Sequence, residues 1–276
     1  MTIQEALQQG TKLLEDASVS APRLNAEVLL AHATGHERSW LYAHGDETLI
    51  ELWWIHYGRY LHERLSGKPT QYITKRQEFY GREFVVSPDV LIPRPETEHL
   101  VEAALEKITS PASIIDVGCG SGAIAISLAL ETGRTVTGAD ISLAALKVAD
   151  QNRRRLNASV HLVASDLLSS FRDRSASLIA CNPPYVPEND KALTQREVRD
   201  YEPHVALFGG LDGLDIYRRL VLEARRVLQP GGWLLMEIAY NASEPIRQML
   251  QPQWPEIGIR TDLAGLPRVA LARLPQ

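Results

Sequence analysis

The sequence predicts an α/β fold, a mostly parallel sheet layered between helices, preceded by a small all-helical N-terminal domain. Three observations carry this expectation. Apolar positions in residues 2 to about 66 recur at helical spacing with no convincing strand among them. The pattern changes at Gly67, beyond which short apolar runs alternate with helical stretches, as a parallel sheet requires. At the end of the first such run, a glycine-rich turn leads straight into a helix rich in Ala and Leu.

The elements follow in order. Ile3, Ala6, Leu7, Leu13 and Leu14 mark a first helix, Ala26, Val28, Leu29 and Leu30 a second, and the run from Leu49 through Leu65 a further one. Trp40, Trp53 and Trp54 fall in this segment and read as packing residues rather than a binding device. The stretch FYGREFVVSPDVLIP alternates and carries turn residues, so a hairpin and an extended connection are expected before a helix near Pro95. Strands are then expected at 113–118, 135–140, 160–166, 177–182, 232–239 and 268–274. The resulting division is a helical domain over 1–70, the hairpin and connection over 71–94, and the sheet domain over 95–276.

Bulk properties narrow the function. With 276 residues, 45% hydrophobic and 23% charged, the chain can bury a proper core, and its net charge of -5 gives no global positive field for nucleic acid or acidic membrane. The start, MTIQEALQQG, lacks the regions of a signal peptide, and no apolar run approaches the ~20 residues of a membrane span, so a cytoplasmic protein is expected. Cys119 and Cys181 sit singly in different motifs, as buried fillers in a reducing compartment would. No metal site is expected: His32 and His36 are separated by a segment containing Gly35 and have no third ligand near, and LHERL around His62 lacks a second His.

The glycine turn, IIDVGCGSGAIAISLAL, places Asp116, Gly118, Gly120 and Gly122 at a strand end. Glycines let a backbone turn sharply and approach a ligand without a Cβ in the way. A dinucleotide fingerprint would need its third Gly at position 123, which is Ala, a swap that some variants permit, so spacing leaves that reading open. About twenty residues on, Asp140 ends the next strand, where its carboxylate can accept both hydroxyls of a ribose. Asp166 ends the strand after that, and Leu167 could lie against a flat base. Each acid alone could cap a helix; together they deliver their strand ends to one crevice, where open α/β sheets bind ligands. The arrangement resembles the class I S-adenosylmethionine methyltransferases, whose sheet is Rossmann-like.

The fourth strand ends in ACNPPYVP (180–187). Asn182 and Pro183 each precede a proline, which stiffens and extends the chain. Prolines donate no N–H, so the turn offers acceptors, the Asn182 side-chain oxygen and the Pro183 carbonyl, while Tyr185 offers a ring to cover a planar group. Such a site suits an NH₂ group. Two fixed acceptors aim the nitrogen lone pair at a methyl donor and stabilise the positive charge that develops, with no prior general base.

Motifs of this kind occur on enzymes acting on adenine, guanine or glutamine, and the remainder of the chain separates them by resemblance. GKPTQYI (67–73), EFYGREFVVSPDVLIPRPETEHLVE (78–102), NPPYVP, REVRDYEPHVALFGGLDGLDIYRRL (196–220), PGGWLLMEI (230–238), DLAGLPRV (262–269) and the N-terminal PRLNAEVLLAHATG (22–35) resemble the bacterial protein-(glutamine-N5) methyltransferases of peptide chain release factors. The resemblance implies a methyl transfer from S-adenosyl-L-methionine, leaving S-adenosyl-L-homocysteine, to the glutamine of the Gly-Gly-Gln motif, in an enzyme working as a monomer without nucleic acid or membrane. It implies catalytic Asn182, Pro183 and Tyr185, cofactor contacts from Gly118, Cys119, Gly120, Ser121, Gly122, Asp140, Asp166, Leu167 and Asn182, and a glutamine pocket of Asn182, Pro183, Pro184 and Tyr185. It further implies that the helical domain recognises the substrate and that LIPRPETE folds over the site. Lys75, Ala239, Ala242 and Pro267 depart from the family pattern. Two alternatives stay open: a nucleic-acid amino methyltransferase, for which RRR at 153–155 is the one basic run, and a non-catalytic module that binds a translation factor.

Overall fold

A computed structural model describes residues 1–108, 112–190, 192 and 195–276. The chain divides into two compact units, Met1–Arg76 with Gln195–Tyr201, and Gln77–Thr194 with Glu202–Gln276.

The first unit is helical: α1 (Ile3–Asp16), α2 (Pro22–Thr34), α3 (Arg38–Ala43), α4 (Glu51–Leu65) and α5 (Thr70–Thr74). A capping box starts α1, the Glu5 N–H donating to Thr2 Oγ1 at 3.1 Å while the Thr2 N–H donates to Glu5 Oε2 at 2.8 Å. Pro22 opens α2 and Gly35, at φ +74°, closes it. The helix-spaced residues Ile3, Leu14, Leu29 and Leu30 pack around a fully buried Tyr57. Trp40, Trp53 and Trp54 lie partly buried against that core, with Trp40 stacked between His36 and His44. The later segment Gln195–Tyr201 joins this unit because the buried Arg64 donates to Glu197 at 2.5 Å and the Tyr201 hydroxyl donates to the Ser66 carbonyl at 3.1 Å. A sequence separation above one hundred residues hides this from any local pattern. Lys75 ends α5 at φ +60°, a left-handed position that glycine fills without strain and other residues fill at about 1–2 kcal/mol.

In the second unit the expected hairpin is β1 (Arg76–Phe79) and β2 (Arg82–Val85). After a 3₁₀ turn at Pro95–Thr97 come α6 (Glu98–Lys107), β3 (Ile114–Val117), α7 (Ala123–Thr132), β4 (Val136–Asp140), α8 (Leu143–Arg155), β5 (Val160–Ala164) and β6 (Ala176–Cys181). With Arg196–Tyr201 as α9, the chain ends in α10 (Asp215–Val227), β7 (Leu228–Glu237), α11 (Ser243–Leu250), β8 (Glu256–Thr261) and β9 (Pro267–Arg273). Seven strands form one sheet in the order β5-β4-β3-β6-β7-β9-β8, with β5 through β7 parallel and β9 antiparallel to both its neighbours.

Alternate residues of each strand serve opposite faces. Ile115, Val117 and Ile179 pack with Tyr217, Leu220 and Ala224 of α10, whereas Ile114, Leu178 and Leu235 pack with Leu100 of α6 and Ile124 and Leu128 of α7. The sheet is thereby the middle of three layers. β8 is the strand the apolar runs do not predict. Its sequence EIGIRT places nothing fully buried, as suits an edge strand, so it lacks the hydrophobic signal of its neighbours. Pro267 opens β9 opposite a register shift, a strand position that tolerates the missing N–H.

The topology fixes where a ligand can sit. The chain moves outward from β3 to β5 and then returns to place β6 on the other side of β3. At that reversal the loops after β3 and β6 part and leave a crevice at the carboxyl ends of the strands. Among the described residues no helix is long and apolar enough to cross a membrane, and no cluster of side chains could hold a metal.

Candidate active site

Register brings the predicted motifs together. Val117 pairs with both Ala139 and Cys181, so Gly118, Asp140 and Asn182 leave three adjacent strands side by side. The glycine turn is tied to its neighbour by the Gly118 and Cys119 N–H groups, which donate to the Ala139 carbonyl at 2.8 and 2.9 Å. Asp140 Oδ2 accepts from the Gly120 N–H and Oδ1 from the Ser142 N–H, each at 2.8 Å. Both carboxylate oxygens are thereby fixed and each keeps lone pairs for a further donor.

Gly118 and Gly120, at φ +70° and +53°, border open space: a Cβ on either would meet nothing within 4 Å. They line a cavity of about 290 Å³ together with Asp140, Asp166, Leu167 and Asn182. Pro184 also reaches it, and Asp89, Val90 and Leu91 of the extended connection form another wall. Cys119, Ser121 and Gly122 turn away from it. A Cβ built on Gly138 would lie 3.2 Å from Cys119 Sγ, Ser121 is buried with its carbonyl accepting from Asn152 Nδ2 at 2.9 Å, and a Cβ on Gly122 would strike Ile126 at 2.9 Å. These three residues shape the turn and seat α7.

Asp166 lies two residues beyond β5, where its carboxylate accepts from Arg219 Nη2 at 2.7 Å. Arg219, a wall of the same cavity, stands 53 positions away and has no motif to announce it. Pro183 is buried. Tyr185 faces a second cavity, of about 410 Å³, shared with Tyr217, Ala239, Tyr240, Ala242 and Arg268. Burial pushes the Tyr185 hydroxyl well above the usual phenol range, so it stays neutral.

Asn182 lines the first cavity and stands three residues before Tyr185 of the second. Its Nδ2 donates to Thr97 Oγ1 at 3.1 Å, which leaves Oδ1 as the free end of the amide. Thr97 is buried, and so is Glu202, whose carboxylate accepts from the Ile92 N–H at 3.2 Å and from the Arg94 guanidinium. Glu202 thereby anchors the connection that walls the cavity. Both residues lie in the motifs PRPETE and YEPHVAL, but their partners are 85 and 108–110 positions away, so only the fold reveals their roles.

Two carboxyls beneath the site hold protons unusually tightly. Burial raises Asp116 to about 7 against one compensating bond, the Ala125 N–H donating to Oδ2 at 3.0 Å, and burial likewise raises Glu237 to about 7. Asp116 Oδ1 and Glu237 Oε2 have no hydrogen-bond partner. An unfolded chain releases these protons near pH 4, so between about pH 4 and 7 the folded state holds more protons and loses stability as pH rises. The depressed carboxyls Glu27, Asp200, Asp212 and Asp262 act only below that window, whereas His32, held below the usual imidazole range by burial, opposes the trend up to about pH 6.5 without matching two carboxyls. The melting temperature of the ligand-free protein should fall from pH 5 to pH 8, and Asp116→Asn and Glu237→Gln should each flatten the slope. A slope unchanged in both variants would remove these groups as its source.

The cavity suits a nucleoside sulfonium: exposed backbone at two glycines, a fixed acid beside the turn with lone pairs to spare, and apolar walls for a base. The comparisons with known proteins agree. Residues 5–74 match the family model of the PrmC N-terminal domain and residues 96–205 that of the methyltransferase small domain. A T. thermophilus 16S rRNA N2 G1207 methyltransferase, solved with AdoMet and guanosine, superposes with a TM-score of 0.53 at 19% identity, covering 72% of this chain and 49% of that one. That likeness establishes the class I methyltransferase fold. The release factor glutamine methyltransferase of Nitratidesulfovibrio vulgaris is 40% identical over 99% of this chain and 95% of its own length. That of Koribacter versatilis is 44% identical over 100% of this chain and 99% of its own. With both units matched and the likeness running from end to end, the chain belongs to the release factor glutamine methyltransferase family.

Proposed function

We infer that this enzyme transfers a methyl group from S-adenosylmethionine to the side-chain amide nitrogen of the glutamine in the Gly-Gly-Gln motif of peptide chain release factors. The observation that carries the reading is the tethered Asn182 amide on the wall of the first cavity, three residues before Tyr185 of the second. The bound cofactor supplies an electrophilic methyl group on a sulfonium. On this reading Asp140 holds the ribose hydroxyls, Asp166 and Leu167 border the adenine, and Gly118 and Gly120 let the methionine portion approach the backbone, with Cys119, Ser121 and Gly122 setting the turn.

The glutamine amide donates one N–H to Asn182 Oδ1 and the other to the Pro183 carbonyl. Its plane is then fixed and its nitrogen lone pair faces the methyl. Charge appearing on nitrogen is met by two oriented dipoles, which need no reorganisation. Pro184 and Tyr185 close the pocket, and the neutral Tyr185 hydroxyl adds no competing charge. The methylated amide is a strong acid and yields its proton to solvent, so no strong base is required.

A protein substrate fits the charges better than a nucleic acid. The basic run at 153–155 ends α8, where Arg153 and Arg154 pair with Asp150 at 2.5 and 2.9 Å and Arg155 pairs with Glu83 at 2.8 Å. The helical unit, in turn, exposes Leu52 and Ile55 on α4, at 59% and 58%. We assign that face to release-factor recognition. Replacing both by Glu should raise KM for a whole release factor about tenfold or more, on the scale of a small apolar interface core, and leave KM for a short Gly-Gly-Gln peptide unchanged. Equal effects on both substrates would contradict the assignment. The activity itself is tested by incubating the protein with labelled cofactor and a release factor, beside a release factor whose Gly-Gly-Gln glutamine is Ala; label should enter only the former.

A further inference from the structure

An asparagine amide can present either its oxygen or its nitrogen to a ligand, since the two orientations are nearly isosteric. Only one of them works in the reaction inferred above: with Nδ2 turned to the substrate, two NH₂ groups would face each other. Thr97 cannot choose alone. Its hydroxyl accepts from Asn182 Nδ2 at 3.1 Å, yet a hydroxyl could equally donate to Oδ1 of a flipped amide. The choice requires that the single Thr97 proton be committed elsewhere.

Glu237 provides that commitment. It is the last residue of β7, one step beyond Met236, which pairs with Cys181, the residue before Asn182. The two side chains therefore leave neighbouring strand ends. Glu237 is 3% exposed, the nearby hydroxyls of Thr97 and Tyr185 favour the charged form of its carboxyl, and its backbone carbonyl is pinned by the Tyr217 hydroxyl at 2.6 Å. An ionised carboxylate only accepts. Facing it, Thr97 turns its proton toward Glu237 and keeps its lone pairs for Asn182.

We propose that Glu237, acting through Thr97, is a positioning residue that locks the Asn182 amide with Oδ1 toward the substrate. The inference rests on the function proposed above. It asks of the buried carboxylate neither proton transfer nor contact with substrate. A Gln at 237 would offer one acceptor and one donor to two hydroxyls. Wherever its NH₂ meets Thr97, the Thr97 proton swings to Asn182 and selects the flipped amide.

The test is steady-state kinetics at pH 8, where Glu237 is ionised, with S-adenosylmethionine and a release factor, alongside calorimetric cofactor binding. Thr97→Val and Glu237→Gln should each lower kcat about 10- to 100-fold, the scale of a misplaced catalytic group, with cofactor Kd within about twofold of wild type. Thr97→Ser, which keeps the hydroxyl, should retain kcat within about threefold. The Thr97→Val/Glu237→Gln double variant should fall no further than Thr97→Val, because one orientation is lost once. Full activity of Glu237→Gln, or a double variant whose loss is the product of the single losses, would overturn the inference. A wild-type protein that binds cofactor but leaves release factor unmodified would overturn the proposed function instead.

Discussion

Asn182→Ala lowers kcat for glutamine methylation by about 10²–10³-fold, the scale seen when one oriented dipole is removed from a reaction centre. The cavity that accepts the cofactor is shaped chiefly by other groups, Gly118, Gly120, Asp140, Asp166 and Leu167, so cofactor Kd should change by no more than about threefold. The loss therefore belongs in turnover. What the variant removes is the acceptor for one amide N–H, while the Pro183 carbonyl, a backbone group, remains to hold the other. Residual activity above background is expected for that reason. Rapid-quench measurement of a single turnover separates the chemical step from binding, and a variant with normal single-turnover rate would show that Asn182 has no part in the chemistry.

The largest expected effect on stability lies in the helical unit. Gly10 is buried in α1, and a Cβ there would stand 1.9 Å from Tyr57 Oη and 2.7 Å from Cζ, distances no real Cβ adopts. Two effects oppose one another. Gly→Ala inside a helix favours folding by about 1 kcal/mol, whereas forcing a fully buried Tyr57 out of place destabilises by about 3 kcal/mol or more. The clash wins, for a net loss of about 2 kcal/mol. Urea unfolding of Gly10→Ala should report it, since Tyr57 has no exposed side toward which to swing. The Tyr57 hydroxyl also lacks a hydrogen-bond partner, so Tyr57→Phe alone should stabilise the protein by about 1 kcal/mol. A Gly10→Ala variant as stable as wild type would mean that Tyr57 is not held where the packing has it.

The parts of the site legible in the sequence are those whose chemistry is local. The glycine turn, Asp140 at a strand end and the stiff Asn-Pro-Pro-Tyr stretch each announce themselves within a few residues, because backbone conformation and strand ends are properties of short segments. Even there, local pattern stops short of direction. Gly118 and Gly120 border the cavity while Cys119, Ser121 and Gly122 point into the protein, a difference of torsion that spacing does not carry. What the sequence hides is pairing over distance. Thr97 meets Asn182, Arg219 meets Asp166, and Glu202 meets Arg94 only after the sheet has assembled. The edge strand β8 stays hidden for another reason: paired on one side only and with no residue fully buried, it carries no apolar run to betray it.

On this reading the enzyme methylates one atom, the side-chain amide nitrogen of one glutamine. Tandem mass spectrometry of a bacterial release factor, after incubation with the protein and S-adenosylmethionine and with Asn182→Ala as control, tests it most directly. A single methyl on the Gly-Gly-Gln glutamine is expected, lost or nearly lost with the variant. A methyl on any other residue, or none despite demonstrated cofactor binding and a folded release factor, would contradict it.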